Sequence, residues 1–178
     1  STLIKLNRPI PRYTSYPTAP QFKPVDEALY KHKLSQLANN DEPISLYIHI
    51  PFCRSMCLFC ACAVTLNRSS QKQSQYLEFL HKEIRQLRSA IGKKLIVDQL
   101  HFGGGTPTNL TEQEFSDLMR VLDDNFDINY SKEVSIEIDP RTVCSDEGKK
   151  LKHLQSLGFN RVSFGVQDTN QDVQEAVK

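Results

Sequence analysis

The chain has 178 residues, 39% of them hydrophobic and 24% charged, which is enough apolar material for one buried core and too much for a disordered or fibrous chain. Twenty-two Lys and Arg against 21 Asp and Glu leave a formal net charge of +1, so charge gives no reason to expect nucleic acid or an anionic membrane as a partner. No apolar run is long enough to span a membrane and "STLIKLNRPIPRYTSYPT" lacks the apolar centre of a secretion signal, so the expected setting is cytoplasmic, where clustered cysteines point to ligation rather than disulfides.

Five of the nine prolines fall within residues 9–24, which makes that stretch an extended arm. Val25, Ala28, Leu29, Leu34, Leu37 and Ala38 then recur at helical spacing, and "NNDEP" ends that helix. "ISLYIHI" (44–50) reads as a buried strand. Four of the five cysteines follow at once in "CRSMCLFCAC" (53–62), spaced C-x3-C-x2-C-x-C. A helix over 71–91 places Leu77, Leu80, Ile84, Leu87 and Ile91 on one face, and "LIVDQLHF" (95–102) is a second strand leading into "GGGTP". Thr111 and Glu114 form a capping box that opens a helix burying Phe115, Leu118, Met119 and Leu122. "EVSIEID" (133–139) is the third strand, stopped by Pro140. A helix over 145–157 ends at Gly158, a suitable left-handed cap. "RVSFGV" (161–166) is the fourth strand, and "NQDVQEAVK" opens a last helix.

Strands and helices that alternate without hairpin signals imply an α/β fold of parallel strands joined by right-handed crossovers. The expected division is an amino-terminal arm and helix over 1–43 and a (β/α) domain over 44–178. These elements fit an open doubly wound sheet or a segment of a barrel. A closed barrel takes about 250 residues, so four units point to a chain truncated on its carboxyl-terminal side. In either architecture reactive loops gather at the carboxyl ends of the strands, so the cysteine loop and "GGGTP" share one rim.

Three readings of the cysteines compete. Zinc wants two ligand pairs and a spacer, and outside the loop only Cys144 and scattered histidines are on offer. Four cysteines as small buried hydrophobes fit poorly in one loop that also holds Arg54 and Ser55. An iron-sulfur cluster suits soft thiolates at two- and three-residue spacing. Cys53, Cys57 and Cys60 can surround one cube, whereas Cys62 follows Cys60 too closely to reach a fourth corner and is read as a thiol facing the site.

C-x3-C-x2-C with Phe59 before the third Cys resembles the signature of the radical S-adenosylmethionine (SAM) superfamily. With Cys62, "LYIHIPFC", "GGGTPT", "IEIDPR" and "GFNRVSFGVQD", and with "RYTSYPTAPQF" as the arm, the chain resembles the oxygen-independent coproporphyrinogen III oxidase family from Arg12 to Gln174. The resemblance implies an open radical-SAM partial barrel. It also implies a 4Fe-4S cluster on Cys53, Cys57 and Cys60, two SAM molecules, and Cys62 as the catalytic residue. In the family, reductive cleavage of SAM yields a 5′-deoxyadenosyl radical that takes a hydrogen from a substrate propionate; loss of carbon dioxide and one electron leaves a vinyl group. Two such steps convert coproporphyrinogen III to protoporphyrinogen IX in haem biosynthesis. An electron donor for the cluster and a monomeric full-length enzyme complete the expectation. Haem chaperones of the same branch lack the fourth cysteine and the arm, and a plain electron-transfer module would need Cys62 as a ligand and no glycine turn.

The family's SAM contacts match Tyr47, Phe59, Gly104, Gly105, Thr106, Glu137 and Gln167. Gly103 to Gly105 would let backbone approach a ligand, or simply make a tight connection. Glu137 in an apolar strand needs a cationic partner, which could be an amino group or a nearby Arg or Lys. Gln167 suits ribose hydroxyls or a loop cap, and without the resemblance Tyr47 and Phe59 would read as core. His49 and His101 precede the two loops; His32, His81 and His153 lie on helices and are read as solvated. Cys144 is read as structural, and Arg12, Tyr13 and Tyr16 as residues that help enclose the tetrapyrrole.

Overall fold

The structure is a computed structural model that describes residues 18–58, 60, 62–144 and 147–176. Arg12, Tyr13, Tyr16 and Phe59 therefore lie outside the described residues. The chain divides into two compact units, Ser1–Lys33 and Leu34–Lys178. In the first, a 3-10 turn at Ala19–Gln21 precedes Asp26, whose Oδ1 accepts the Leu29 N–H at 2.7 Å where helix α1 (Glu27–Ala38) begins. Only Leu34 on α1 is buried, and Val25 and Leu29 of the expected inward face are exposed.

In the second unit, β1 (Ile44–Ile50), β4 (Ile96–Gly104), β5 (Asp127–Glu137) and β6 (Arg161–Ser163) form one parallel sheet in the order β1-β4-β5-β6. The crossovers run through α2 (Ser70–Ile91), α3 (Glu112–Asn125) and the pair α4 (Pro140–Val143) and α5 (Lys149–Ser156); α6 (Gln171–Ala176) follows β6. Strand side chains alternate between faces. Ile48, Ile50, Leu100, Phe102, Val134 and Ile136 share a core with Leu77, Ile84 and Ile91 of α2, Phe115, Leu118 and Leu122 of α3, and Leu154 of α5. Phe102, Phe115 and Phe159 meet at its centre, with Phe102 edge-on to Phe159 at 5.1 Å between ring centroids. The intervening residues Tyr47, His49, His101, Ser135 and Glu137 occupy the opposite face, and that face carries the site.

Several elements differ from expectation. β5 starts at Asp127, six residues before the apolar run, because Ile96 and Val97 pair with Asp127 and Ile128 ahead of a register shift. Of the helix expected over 145–157 the described residues form the shorter α5, entered from Gly148 and closed before Gly158, which is left-handed as expected; a separate short helix, α4, precedes it. β6 keeps only Arg161–Ser163, and Phe164 and Val166 leave the sheet exposed. Two further strands, β2 (Phe52–Cys53) and β3 (Thr65–Leu66), pair in parallel across the cysteine loop. Of the three helix histidines, His32 is exposed, His153 bridges Ser116 Oγ and the Glu112 carbonyl, and His81 has a buried Nε2 without a partner. Cys144 is exposed, and its backbone N–H closes α4 on the Pro140 carbonyl.

Candidate active site

The lead-in to the cysteine loop is held by the glycine turn. Gly105 N–H donates to the Ile50 carbonyl at 2.8 Å, Thr106 N–H to that of Phe52 at 3.0 Å, and Asn109 Nδ2 to the same Phe52 oxygen at 3.2 Å. The other end of the loop is fixed by Thr65 N–H on Pro51 (2.7 Å) and Asn67 N–H on Cys53 (2.9 Å). A Cβ on Gly105 would stand 2.8 Å from the Pro51 oxygen, and Gly104 has φ +119° with His49 and the Ile50 oxygen at 2.8 Å from any Cβ. Only glycine lets this turn lie so close to β1 and β2.

A cavity of about 570 Å³ opens where the two loops meet the ends of β5 and β6. Cys53, Cys57, Cys60 and Cys62 line it, together with Gly104, Gly105, Thr106, Glu137 and Gln167. Cys53 is buried, its Sγ 3.3 Å from Thr106 Oγ1; Cys57 and Cys60 are half-buried; Cys62 is exposed. Partial burial, and after it the neighbouring Cys60 and Glu137, push the Cys62 thiol above its ordinary range. Among the described residues no three His, Cys, Asp or Glu side chains converge as ligands of a single ion. The donors around the cavity are sulfurs distributed over one loop, above a floor stripped of side chains at Gly104 and Gly105. That set fits a sulfur-ligated cluster with room for a second group beside it.

Glu137 Oε2 accepts the Gly104 N–H at 3.1 Å, and Oε1 lies 3.6 Å from His101 Nε2. Among the described residues no Lys or Arg pairs with it, so the carboxylate keeps capacity for a cation in the cavity. Tyr47 is not on the cavity wall. It lies over Gly103, stacks on His101 at 5.8 Å and bonds His49 Nδ1 at 3.1 Å. Partial burial, with Glu137 and Cys62 close by, pushes its phenol above the usual value. Gln167 reaches the cavity from a left-handed backbone position, φ +62°, uncommon for a residue with a side chain.

Two charged residues of the wall had no role in the sequence reading. Asp139 and Arg141 follow Glu137 in "IEIDPR", and Arg141 Nη2 lies 3.8 Å from Cys57 Sγ. The signal available was the tripeptide Asp139-Pro140-Arg141 itself: a Pro that starts a helix at a strand end, flanked by an acid and a base.

Residues 47–178 match the family model for the radical SAM superfamily. The chain is 45% identical over 174 residues to the oxygen-independent coproporphyrinogen III oxidase of Salmonella typhimurium and 44% identical to that of Escherichia coli K12, covering 97% of this chain and 37% of each relative. The Helicobacter pylori J99 enzyme of the same name is 40% identical over 182 residues, 96% of this chain and 38% of the relative. Among solved structures, coproporphyrinogen III oxidase (HemN) from Escherichia coli, described as a radical SAM enzyme, superposes with a TM-score of 0.82 at 43% identity, covering 99% of this chain and 38% of that one. The chain thus spans just over a third of the length of these relatives.

Proposed function

The chain belongs to the radical SAM superfamily, and from that premise we propose that it is the cluster- and SAM-bearing part of an oxygen-independent coproporphyrinogen III oxidase. The observation that carries the reading is one cavity edged by Cys53, Cys57 and Cys60 on one side and by Gly104, Gly105, Thr106 and Glu137 on the other. A 4Fe-4S cluster and SAM held there would supply the one-electron chemistry that propionate decarboxylation needs. Cys53, Cys57 and Cys60 are the ligands in this proposal. Glu137 offers its free carboxylate capacity to the amino group of a SAM, and the open backbone at Gly104 and Gly105 admits its methionyl part. Phe59 and Gln167 complete the SAM contacts in this proposal, Tyr47, off the cavity wall, backs the glycine turn at Gly103, and the Cys62 thiol faces the substrate side. Coproporphyrinogen III as substrate, a low-potential electron donor as partner and a cytoplasmic setting belong to the same proposal, supported by the names of the relatives and the fourth cysteine.

The test is anaerobic reconstitution of the chain with iron and sulfide, then electron paramagnetic resonance of the reduced sample with and without SAM. A four-iron signal that changes on SAM addition is the expected result. A four-iron signal indifferent to SAM, which becomes SAM-sensitive in Cys62→Ser, would make Cys62 a fourth ligand and sink the assignment of its role.

A further inference from the structure

Arg141 is the one cationic side chain that a described hydrogen bond brings onto a cysteine of the loop, and its geometry is prepared. Its Nε and Nη2 grip the Asp139 carboxylate, Nη2 to Oδ2 at 2.7 Å and Nε to Oδ1 and Oδ2 at 3.0 and 3.1 Å. Asp139 is itself fixed: its Oδ1 accepts the Arg141 N–H at 3.0 Å as the cap of α4, its N–H donates to Thr108 Oγ1 at 3.4 Å, and its side chain is only 20% exposed. Thr108, fully buried, is bonded in turn to Thr142 Oγ1. A guanidinium has five N–H donors in a rigid fork. With the carboxylate holding one edge, Nη2 keeps a further N–H for Cys57 Sγ, 3.8 Å away.

Resting on the reading above, we propose that the Asp139–Arg141 pair is a built-in tuner of the cluster, donating a hydrogen bond to the Cys57 thiolate and raising the cluster's reduction potential. Adding one electron from an external low-potential reductant increases the negative charge on the sulfurs without making or breaking a bond in the protein. A donor aimed at one sulfur therefore stabilises the reduced form more than the oxidised form. Asp139 cancels most of the guanidinium's net charge, so the effect is that of an oriented donor at one ligand and not of a bare cation near SAM. A lysine at 141 has the charge but no fork, and cannot hold Asp139 on one edge while donating to Cys57 on another.

The experiment is spectroelectrochemical titration of the reconstituted chain and of Arg141→Met and Arg141→Lys, with iron and sulfide content measured on each. The expected result is an unchanged iron and sulfide content and a midpoint moved to lower potential in Arg141→Met. The expected size is a roughly tenfold fall in the equilibrium constant for reduction, ~59 mV for one electron, with Arg141→Lys recovering less than half of it. An Arg141→Met midpoint equal to that of the parent overturns the proposal. So does a full recovery by Lys, which would make net charge sufficient, and so does loss of the cluster from both variants, which would assign Arg141 to holding the loop alone. A parent chain that binds no cluster at all would overturn the proposed function itself, a distinguishable failure.

Discussion

A methyl group added at Gly105 would press on the carbonyl oxygens of Pro51 and Phe52, backbone atoms that cannot turn aside, while one at Gly104 would also strain a left-handed backbone. Gly105→Ala and Gly104→Ala are each expected to lose about 1–3 kcal/mol, seen as a lower urea midpoint at unchanged slope. Glu137 behaves differently, since its contacts are one backbone N–H and a long approach to His101. Glu137→Gln keeps an oxygen for Gly104 and should leave stability nearly unchanged. Because a hydrogen bond to a charged group contributes about 1.5–3 kcal/mol, the same variant is expected to weaken SAM binding roughly tenfold to a hundredfold by calorimetry. An unchanged affinity would remove Glu137 from the SAM site.

At the scale of elements, α3 opens on a capping box in which Thr111 Oγ1 accepts the Glu114 N–H and the Glu114 side chain returns to the Thr111 N–H. Thr111→Ala should cost about 1 kcal/mol and lower Tm by about 2–4 °C in calorimetric scans. His81 on α2 has a buried, unpartnered Nε2 with Arg85, Asp117 and Arg120 around it, and burial, reinforced by Arg85, pushes its pKa below the ordinary 6.5. The unfolded chain then binds the proton more readily than the folded one, so this contribution is complete above about pH 6.5 and is lost as pH falls below it. Urea midpoints across that window should flatten in His81→Gln; an unaltered slope would place the titration elsewhere. The capping box and the Gly158 cap were legible in sequence because each is a local pattern of a few residues. The first half of β5 was not, since "DINYSKE" is polar and is extended only through its pairing with β4. β2 and β3 are two residues each, too short to carry a period.

At the scale of the whole molecule, helices cover one face of the sheet while Tyr47, His49, His101 and Glu137 stand on the other. Connectivity alone brings the cysteine loop and the glycine turn to one rim, so most of the candidate cavity was legible in the sequence. The Arg141–Cys57 contact was not, being a meeting of side chains 84 positions apart that no periodicity encodes. Among the described residues β6 is a short edge strand with Val162 exposed at 46%, and Phe164 and Val166 just beyond it are exposed at 54% and 57%. Such an edge invites pairing. Sedimentation velocity is expected to show concentration-dependent association of this chain, reduced in Val162→Lys with Phe164→Ser; a monomer at all concentrations would show the edge to be protected. The pairing of β2 with β3 bears on a different property, the history of the chain between one filling of its cavity and the next. Because both anchors of the cysteine loop are backbone bonds beside the main sheet, opening of the loop would leave its ends in place. Closing it again costs little chain entropy. Hydrogen exchange should find residues 54–58 opening well before Thr65 and Asn67, the behaviour of a protein that is reloaded without being refolded.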